Sequence, residues 1–327
     1  MRGIRERMIC MPSTSPTVSV IVPVYRASAF IAQCAESLLS QSYSDIEYVF
    51  VNDGTTDDSI YKLQQVLERH PERAVKVQIL HQENRGVQEA RKAGLMHISG
   101  DCVIQLDADD WVEPELVEKL VGKMLETQAD LVYCDYYLEY PDHSEIAEEQ
   151  VYTDRKELLK DLYNGKRFHG YFWNKLVRRS LYEAVTVWPQ YSMRDDLVVV
   201  SQLVSQAKQI AHMGVPLYHY RLGNSGSVSN SKIAKQKFES ARNLMLLYDF
   251  YRRSGKSDAP GSPVSGVEED LLQRICWFAL AAKDFGLYRD YPYFRKELIR
   301  ISPARTHDLS LWKQWAMRIV SIVLCVK

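Results

Sequence analysis

Asp107, Ala108, Asp109 and Asp110 close an apolar run, Cys102 to Leu106, and lead directly into Trp111, Val112, Glu113 and Pro114. A short hydrophobic run ending in three carboxylates reads as a buried strand delivering acids to its carboxyl end, where open α/β sheets place their ligands. Carboxylates packed this closely suit a hard cation. Mg²⁺ or Mn²⁺ is held by one or two carboxylates together with the phosphate oxygens of a substrate, so the chemistry on offer is a metal-diphosphate site. The competing reading is a turn in which Asp109 and Asp110 start the next helix, with Pro114 near its first position.

The elements that would position these acids alternate in kind. Thr17 to Val24 is nearly all apolar and β-branched, as in a central parallel strand buried on both faces, and it ends at Pro23, Val24, Tyr25 and Arg26. Ile31, Cys34, Ala35, Leu38 and Leu39 follow at helical spacing. Ile46 to Val51 is a second strand, and the turn Asn52 to Ser59 has a glycine that permits positive φ and acids that suit the start of a helix carrying Ile60, Leu63 and Leu67. Val75 to Leu80 is a third strand, Asn84, Arg85 and Gly86 open a helix running to Ile98, and the acid-tipped strand is the fourth. A helix over Leu116 to Leu125 and a strand over Asp130 to Tyr137 complete an α/β pattern that predicts a Rossmann-like, mostly parallel sheet flanked by helices. Beyond about residue 140 the pattern loosens into helices and loops. Residues 232–252 form one long helical pattern, 254–266 a flexible linker rich in Ser, Gly and Pro, and 268–284 and 311–325 further helices.

The 327 residues, 46% hydrophobic with a net charge of −1, suffice for one large α/β domain with an extension and lack the basic excess of a nucleic-acid binder. Six scattered cysteines without a CxxC pair fit a reducing cytosol. No secretory signal and no apolar run of about 18 residues is present, so no membrane span is expected, and residues 1–16 read as a flexible leader. No G-x-G-x-x-G follows the first strand, and neither H-E-x-x-H nor G-x-S-x-G occurs, which leaves nicotinamide, zinc-protease and serine-hydrolase chemistry without a foothold.

Four segments, Val18 to Tyr25, Asn52-Asp53-Gly54-Thr55-Thr56-Asp57, Asn84-Arg85-Gly86 and Leu106-Asp107-Ala108-Asp109-Asp110-Trp111, together resemble the family-two glycosyltransferases of the bacterial polysaccharide and lipopolysaccharide type. The resemblance is strong over residues 17–140, traceable to about 230 and absent beyond; it implies a GT-A fold over 17–230 with a helical C-terminal extension over 231–327. It implies that Asp53 accepts a hydrogen bond from a uracil ring and that Pro23, Val24 and Tyr25 line the same pocket. Asp107 and Asp109 match the two acids of a D-x-D motif, the second on the metal and the first facing the ribose or a bridging water, with Asp110 an additional metal candidate. Arg85 and Arg91 fall where a basic side chain could face the diphosphate or sugar, a solvated helix face being the alternative for Arg91.

The second half adds smaller matches. Trp173-Asn174-Lys175-Leu176 resembles a W-N-K-L segment beside the active site, which would put Lys175 with the donor; a packed tryptophan beside an exposed lysine is the alternative. Arg194-Asp195-Asp196 before Leu197 to Val200 resembles the E-D pair that supplies the catalytic base. Asp196 is favoured, Asp195 stands where glutamate is usual, and the division of labour between them is open. Tyr218-His219-Tyr220-Arg221 and the run Asn224 to Ser229 resemble the loop that closes over the donor diphosphate, with Arg221 its phosphate partner and His219 either near the metal or structural in an aromatic strand.

The resemblance thus implies an inverting transfer of a sugar, from a nucleotide-diphosphate sugar and a UDP-sugar first of all, to a saccharide or lipid-linked saccharide in cell-surface polysaccharide synthesis, with Mg²⁺ or Mn²⁺ as cofactor. A non-catalytic nucleotide-sugar binding module, which would lose metal ligands or base, is one alternative. A nucleotidyltransferase is another, and it would show a basic glycine-rich loop where this chain has Pro23 to Ser28. Residues 311–326, with Trp312, Trp315, Lys313 and Arg318, suit either an interfacial helix giving peripheral membrane contact or a helix docked on the domain or on a second subunit of a homo-oligomer. The expected location is the cytoplasm, at the inner face of the plasma membrane under the interfacial reading.

Overall fold

The computed structural model describes residues 15–165, 167–223, 233–253, 267–282, 287 and 290. Residues 1–14 of the expected leader 1–16, the serine-rich run 224–229, the linker 254–266 and the helix at 311–326 lie outside the described residues.

Every residue of β1 (Val18–Val24) is buried. A strand with no polar face belongs in the middle of a covered sheet, and β1 pairs in parallel with β2 (Ile46–Asp53) on one side and β4 (Cys102–Gln105) on the other, with β3 (Val77–Gln82) parallel beyond β2. Helices α1 (Ile31–Leu39), α2 (Ser59–Arg69) and α4 (Val87–Leu95) connect these strands, with a single turn, α3 (Pro71–Ala74), before β3. That turn begins at a proline suited to a first helical position, and it delays the third strand by two residues relative to the expected Val75. Gly94 lets α4 lie close on the sheet, since a Cβ there would stand 2.4 Å from Ile21 Cγ2.

Beyond β4 the pairing is mixed. Strand β8 (Lys175–Arg178) runs antiparallel between β4 and β6 (Leu131–Glu139), β9 (Ile210–Arg221) runs parallel to β6, and β7 (Ser144–Ala147) pairs antiparallel with β6. The two-residue β5 (Trp111–Val112) pairs antiparallel with Tyr218 and His219 of β9, giving the order β3-β2-β1-β4-β8-β6-β9-β5. The sheet is parallel where strands alternate with helices and mixed where the chain departs from that alternation.

The sheet separates two apolar cores. Val18, Val20, Val22 and Val24 share one with α1 and α5 (Leu116–Thr127). Ile21 points the other way, as strand alternation requires, and joins Val103, Leu131 and Tyr133 in a core shared with α6 (Arg155–Asn164), α8 (Asp195–Gln206), α9 (Ile233–Arg253) and α10 (Val267–Ala282). The short α7 (Arg179–Glu183) closes its edge through Tyr182. Among the described residues no helix is long and apolar enough to cross a membrane.

Candidate active site

The carboxyl ends of β1, β2 and β4 border a cleft of about 970 Å³ whose opposite wall comes from residues 169–173, the start of α8, and the helices α9 and α10. Asp53 stands at the end of β2, only 2% exposed. Its Oδ1 accepts from Gln82 Nε2 (2.7 Å) and the Arg85 N–H (2.9 Å), and its Oδ2 from the Gly86 N–H (2.9 Å). The next residue, Gly54, has φ +65°, and a Cβ on it would meet Asn84 N at 2.7 Å, so only glycine lets the turn tuck beneath residues 84–86. Asp53 therefore clamps that segment while bordering the cleft with Pro23 and Tyr25. Val24, expected in the same lining, is instead buried in the core, because strand alternation turns it away from the cleft.

The acid tip is a tight turn closed by the Asp110 N–H on Asp107 O (3.3 Å), held between β4 and the β5–β9 pairing. Asp107 and Asp109 line the cleft. Asp110, expected as a further metal candidate, turns inward: it is 2% exposed, its Oδ2 accepts from the Tyr218 hydroxyl (2.6 Å) and its Oδ1 from the Arg221 N–H (2.7 Å). Burial, with Asp109 and Asp107 beside it, pushes its carboxyl well above the ordinary range. Its place is that of a brace between the tip and β9.

Arg221 acts from behind the tip. Its Nε donates to Asp109 O (2.9 Å) and its Nη2 to Gln33 Oε1 (2.7 Å), with the guanidinium over Phe30 (5.0 Å) and Trp111 (4.6 Å). It does not line the cleft, contrary to the expectation of a phosphate partner, because Asp109, Gln33 and two rings hold it outside. His219 is structural: it stacks between Trp111 (4.8 Å) and Tyr137 (4.5 Å), with Nδ1 2.6 Å from Glu139 and Nε2 2.9 Å from Glu113.

Of the two arginines expected toward the diphosphate or sugar, the cleft lining includes Arg91 and not Arg85. Arg85 projects into solvent, its side chain 65% exposed and 3.8 Å from Glu89 one turn on, and only its N–H reaches the site. Arg91 is 9% exposed and central. Its Nη2 donates to Asp107 Oδ1 (2.7 Å) and its Nη1 to Asp195 Oδ2 (3.0 Å), the guanidinium lies 4.9 Å over Phe172, and Nε is buried without an acceptor. The signal was in the sequence, since Val87, Ala90, Arg91 and Gly94 recur at the spacing of one helix face, which here is the buried one.

Asp195 and Asp196 form the first turn of α8. Both line the cleft; Asp195 is bound to Arg91, whereas Asp196 has one hydrogen bond, from the Leu197 N–H to Oδ1 (2.7 Å), and no ion pair among the described residues. Burial raises both carboxyls above the ordinary range, and Arg91 pulls against it in each.

Lys175, expected at the donor, is 1% exposed and off the cleft. Its Nζ donates to His169 O (2.8 Å), Tyr171 O (2.8 Å) and Asn174 Oδ1 (2.7 Å), which uses all three protons and fastens the loop of the opposite wall. Burial lowers its pKa to about 8. The loop carries a run of stacked rings, with His169 on Tyr171 (5.2 Å), Tyr171 on Trp173 (4.6 Å) and Trp173 on Tyr218 (4.3 Å).

Two carboxylates that line the cleft, Asp107 and Asp109, could together contribute ligands to a cation. Among the described residues no three His, Cys, Asp or Glu side chains form a metal site by themselves. Such a donor set fits Mg²⁺ or Mn²⁺ completed by phosphate oxygens rather than an ion in an all-protein cage.

A family model described as glycosyl transferase family 2 matches residues 19–186. The candidate glycosyltransferase EpsH of Bacillus subtilis is 34% identical over 72% of this chain and 68% of its own length, and the uncharacterised glycosyltransferase EpsJ of the same organism is 31% identical over 63% and 61%. Glycosyltransferase GlyA of Streptococcus pneumoniae is 30% identical over 65% of this chain but only 31% of its own length. Among solved structures, S. aureus TarS in complex with UDP-GlcNAc superposes with a TM-score of 0.54 at 16% identity, covering 81% of each chain. The mannosyltransferase PcManGT from Pyrobaculum calidifontis, in complex with GDP-Man and Mn²⁺, gives 0.56 at 16% identity over 96% of this chain and 82% of its own. At that identity the likeness is one of fold, and the fold is GT-A.

Proposed function

The chain belongs to glycosyl transferase family 2, and we propose that it moves a sugar from a UDP-sugar to a saccharide or lipid-linked saccharide acceptor in cell-surface polysaccharide synthesis, by a single inverting displacement. One observation carries the reading: Arg91 joins Asp107 of the acid tip to Asp195 of the second acid pair, so both acid motifs face a single cleft that Asp53 borders as well. Pro23, Tyr25 and Asp53 form the nucleotide end. UDP-GlcNAc in TarS and GDP-Man with Mn²⁺ in PcManGT support a nucleotide-sugar donor and a divalent cation here.

Asp107 and Asp109 would hold Mg²⁺ or Mn²⁺. When bound, the ion supplies charge neutralisation to the departing nucleoside diphosphate. Asp196 is the base: no ion pair among the described residues holds it, burial keeps its pKa raised against the pull of Arg91, Arg194 and Lys175 and so strengthens it as a proton acceptor, and it takes the proton of the acceptor hydroxyl as that oxygen attacks the anomeric carbon. The bond from the anomeric carbon to the diphosphate oxygen breaks in the same step, which inverts the configuration. Asp195, neutralised by Arg91, positions the start of α8. A binding module without catalysis would have no use for an unpaired acid at Asp196.

The test is release of nucleoside diphosphate from a panel of UDP- and GDP-sugars with Mn²⁺ and saccharide acceptors. Turnover of at least one donor is expected, with its loss in Asp109→Ala and Asp196→Asn while circular dichroism stays native. Full activity in both variants would overturn the assignment.

A further inference from the structure

At the end of the cleft away from Asp53, two basic side chains take no part in this mechanism. Arg194 precedes α8 with φ 60° and ψ 30°, a left-handed conformation uncommon for a residue with a Cβ. Outliers of this kind collect where a side chain is held for a purpose. Its guanidinium lies 4.9 Å over the ring of Phe278 on α10, and among the described residues it has no hydrogen-bond acceptor and no ion-pair partner. Lys237 on α9 lies 5.1 Å over Trp277 and likewise makes no ion pair among the described residues. The rings of Trp277 and Phe278 are 5.0 Å apart, so two cations sit on neighbouring aromatic faces, and all four residues line the cleft.

The contrast with Arg91 is informative. That guanidinium is neutralised by two carboxylates, while Arg194, one residue from Asp195, keeps its five donors uncommitted, in a fork shaped for an oxyanion. Burial and the nearby Arg274 disfavour its charge more than Asp196 and Tyr171 favour it, an environment that a further bound anion would relieve. The donor diphosphate already has its place at the acid tip, on strands to which α9 and α10 contribute nothing. These two helices also lie outside the matched residues 19–186, in a part of the chain free to serve its own acceptor.

Resting on the transfer reading above, we propose that this end of the cleft is an oxyanion subsite for the acceptor, and that the acceptor is a saccharide carrying a phosphoryl or carboxylate group. Arg194 and Lys237 bind the anion, Trp277 gives the sugar ring an apolar face, and the hydroxyl to be glycosylated meets Asp196, two residues from Arg194.

The experiment is calorimetric titration of the full chain with three ligands that share one ring and differ at C6: glucose, glucose 6-phosphate and glucuronate. Mn²⁺ and UDP or GDP, whichever binds, fill the donor end beforehand. At least one anionic ligand should bind about tenfold or more tightly than glucose, the scale of a charge-assisted hydrogen bond, and the better of the two identifies the anion. Arg194→Gly removes the guanidinium and eases the left-handed backbone, so it should melt no lower than the parent chain while the preference falls to about twofold or less. Arg194→Lys should restore part of it, and Lys237→Gln should reduce it more mildly. No preference for either anion in the parent chain, or a full preference in Arg194→Gly, overturns the subsite. If neither UDP nor GDP binds, the transfer reading fails first; nucleotide binding without anion preference strikes the subsite alone.

Discussion

On the wall of the cleft that carries Asp53, Asp107 and Asp109, the acids follow the carboxyl ends of parallel strands, and backbone N–H groups or a guanidinium fix them. On the wall that carries Asp196, the acid opens a helix, and its surroundings are stacked rings, a loop fastened by Lys175, and two late helices. The first wall is set by sheet register and suits chemistry common to many donors. The second is assembled from segments far apart in the chain, where one substitution can reshape a surface, and under the proposed transfer it would choose the acceptor. Arg91 is the joint between them.

Removing that joint should give the largest effect, since it strikes both walls. Arg91→Met leaves Asp107 and Asp195 without their cation and should cost about 3–5 kcal/mol of folding stability, together with activity, measured by urea unfolding and donor turnover. A loss confined to activity would show that the walls stand independently. Next come the acids themselves. Asp196→Asn should lower kcat by roughly 10² to 10⁴ with donor KM nearly unchanged, whereas Asp109→Ala should abolish the response to added Mn²⁺ that restores the parent chain after EDTA treatment. Equal losses in Asp195→Asn and Asp196→Asn would erase the distinction drawn between them.

The pH profile offers a smaller effect of definite sign. As the proposed base, Asp196 must be deprotonated to act, and burial raises its pKa, so kcat/KM should fall as pH drops through a limb lying above the ordinary aspartate value of about 3.9. Residual activity in Asp196→Asn should lack that limb. Smallest of all, Lys175→Met leaves the His169 and Tyr171 carbonyls without a donor. It should cost about 1–3 kcal/mol in thermal or urea unfolding and raise the acceptor KM while sparing the donor KM. Equal changes in both would mean that the loop serves the two walls alike.

These contrasts also explain what the amino-acid order could disclose. The first wall was legible because strand alternation, the Asn52–Gly54 turn and the acid tip are local patterns whose succession predicts a mostly parallel sheet flanked by helices, the GT-A fold itself being what the family resemblance implied. The helix spacing that buries Arg91 with Ala90 and Gly94 was also present in the sequence, but it did not by itself decide between a buried and a solvated face. Nothing local separates Asp109 from Asp110, because which acid turns inward depends on β5 meeting β9, more than a hundred residues later. Lys175 carries the pattern of an exposed lysine, and its burial depends on carbonyls that a folded loop turns back upon it. Arg194 and Lys237 acquire meaning only through α10, which supplies the rings beneath them.

The alternation of β1 that sends Ile21 away from its neighbours has a consequence for how the molecule comes apart. Ile21 and Val103 at the centre of the sheet belong to the same apolar cluster as Leu244, Met245 and Ile275 of the last two described helices. Unfolding should therefore be a single cooperative event, with no stable fragment left when those helices detach. A chimaera that grafts another acceptor wall onto these strands would have to import the matching half of the interior with it, so specificity and foldability in this protein are inherited together.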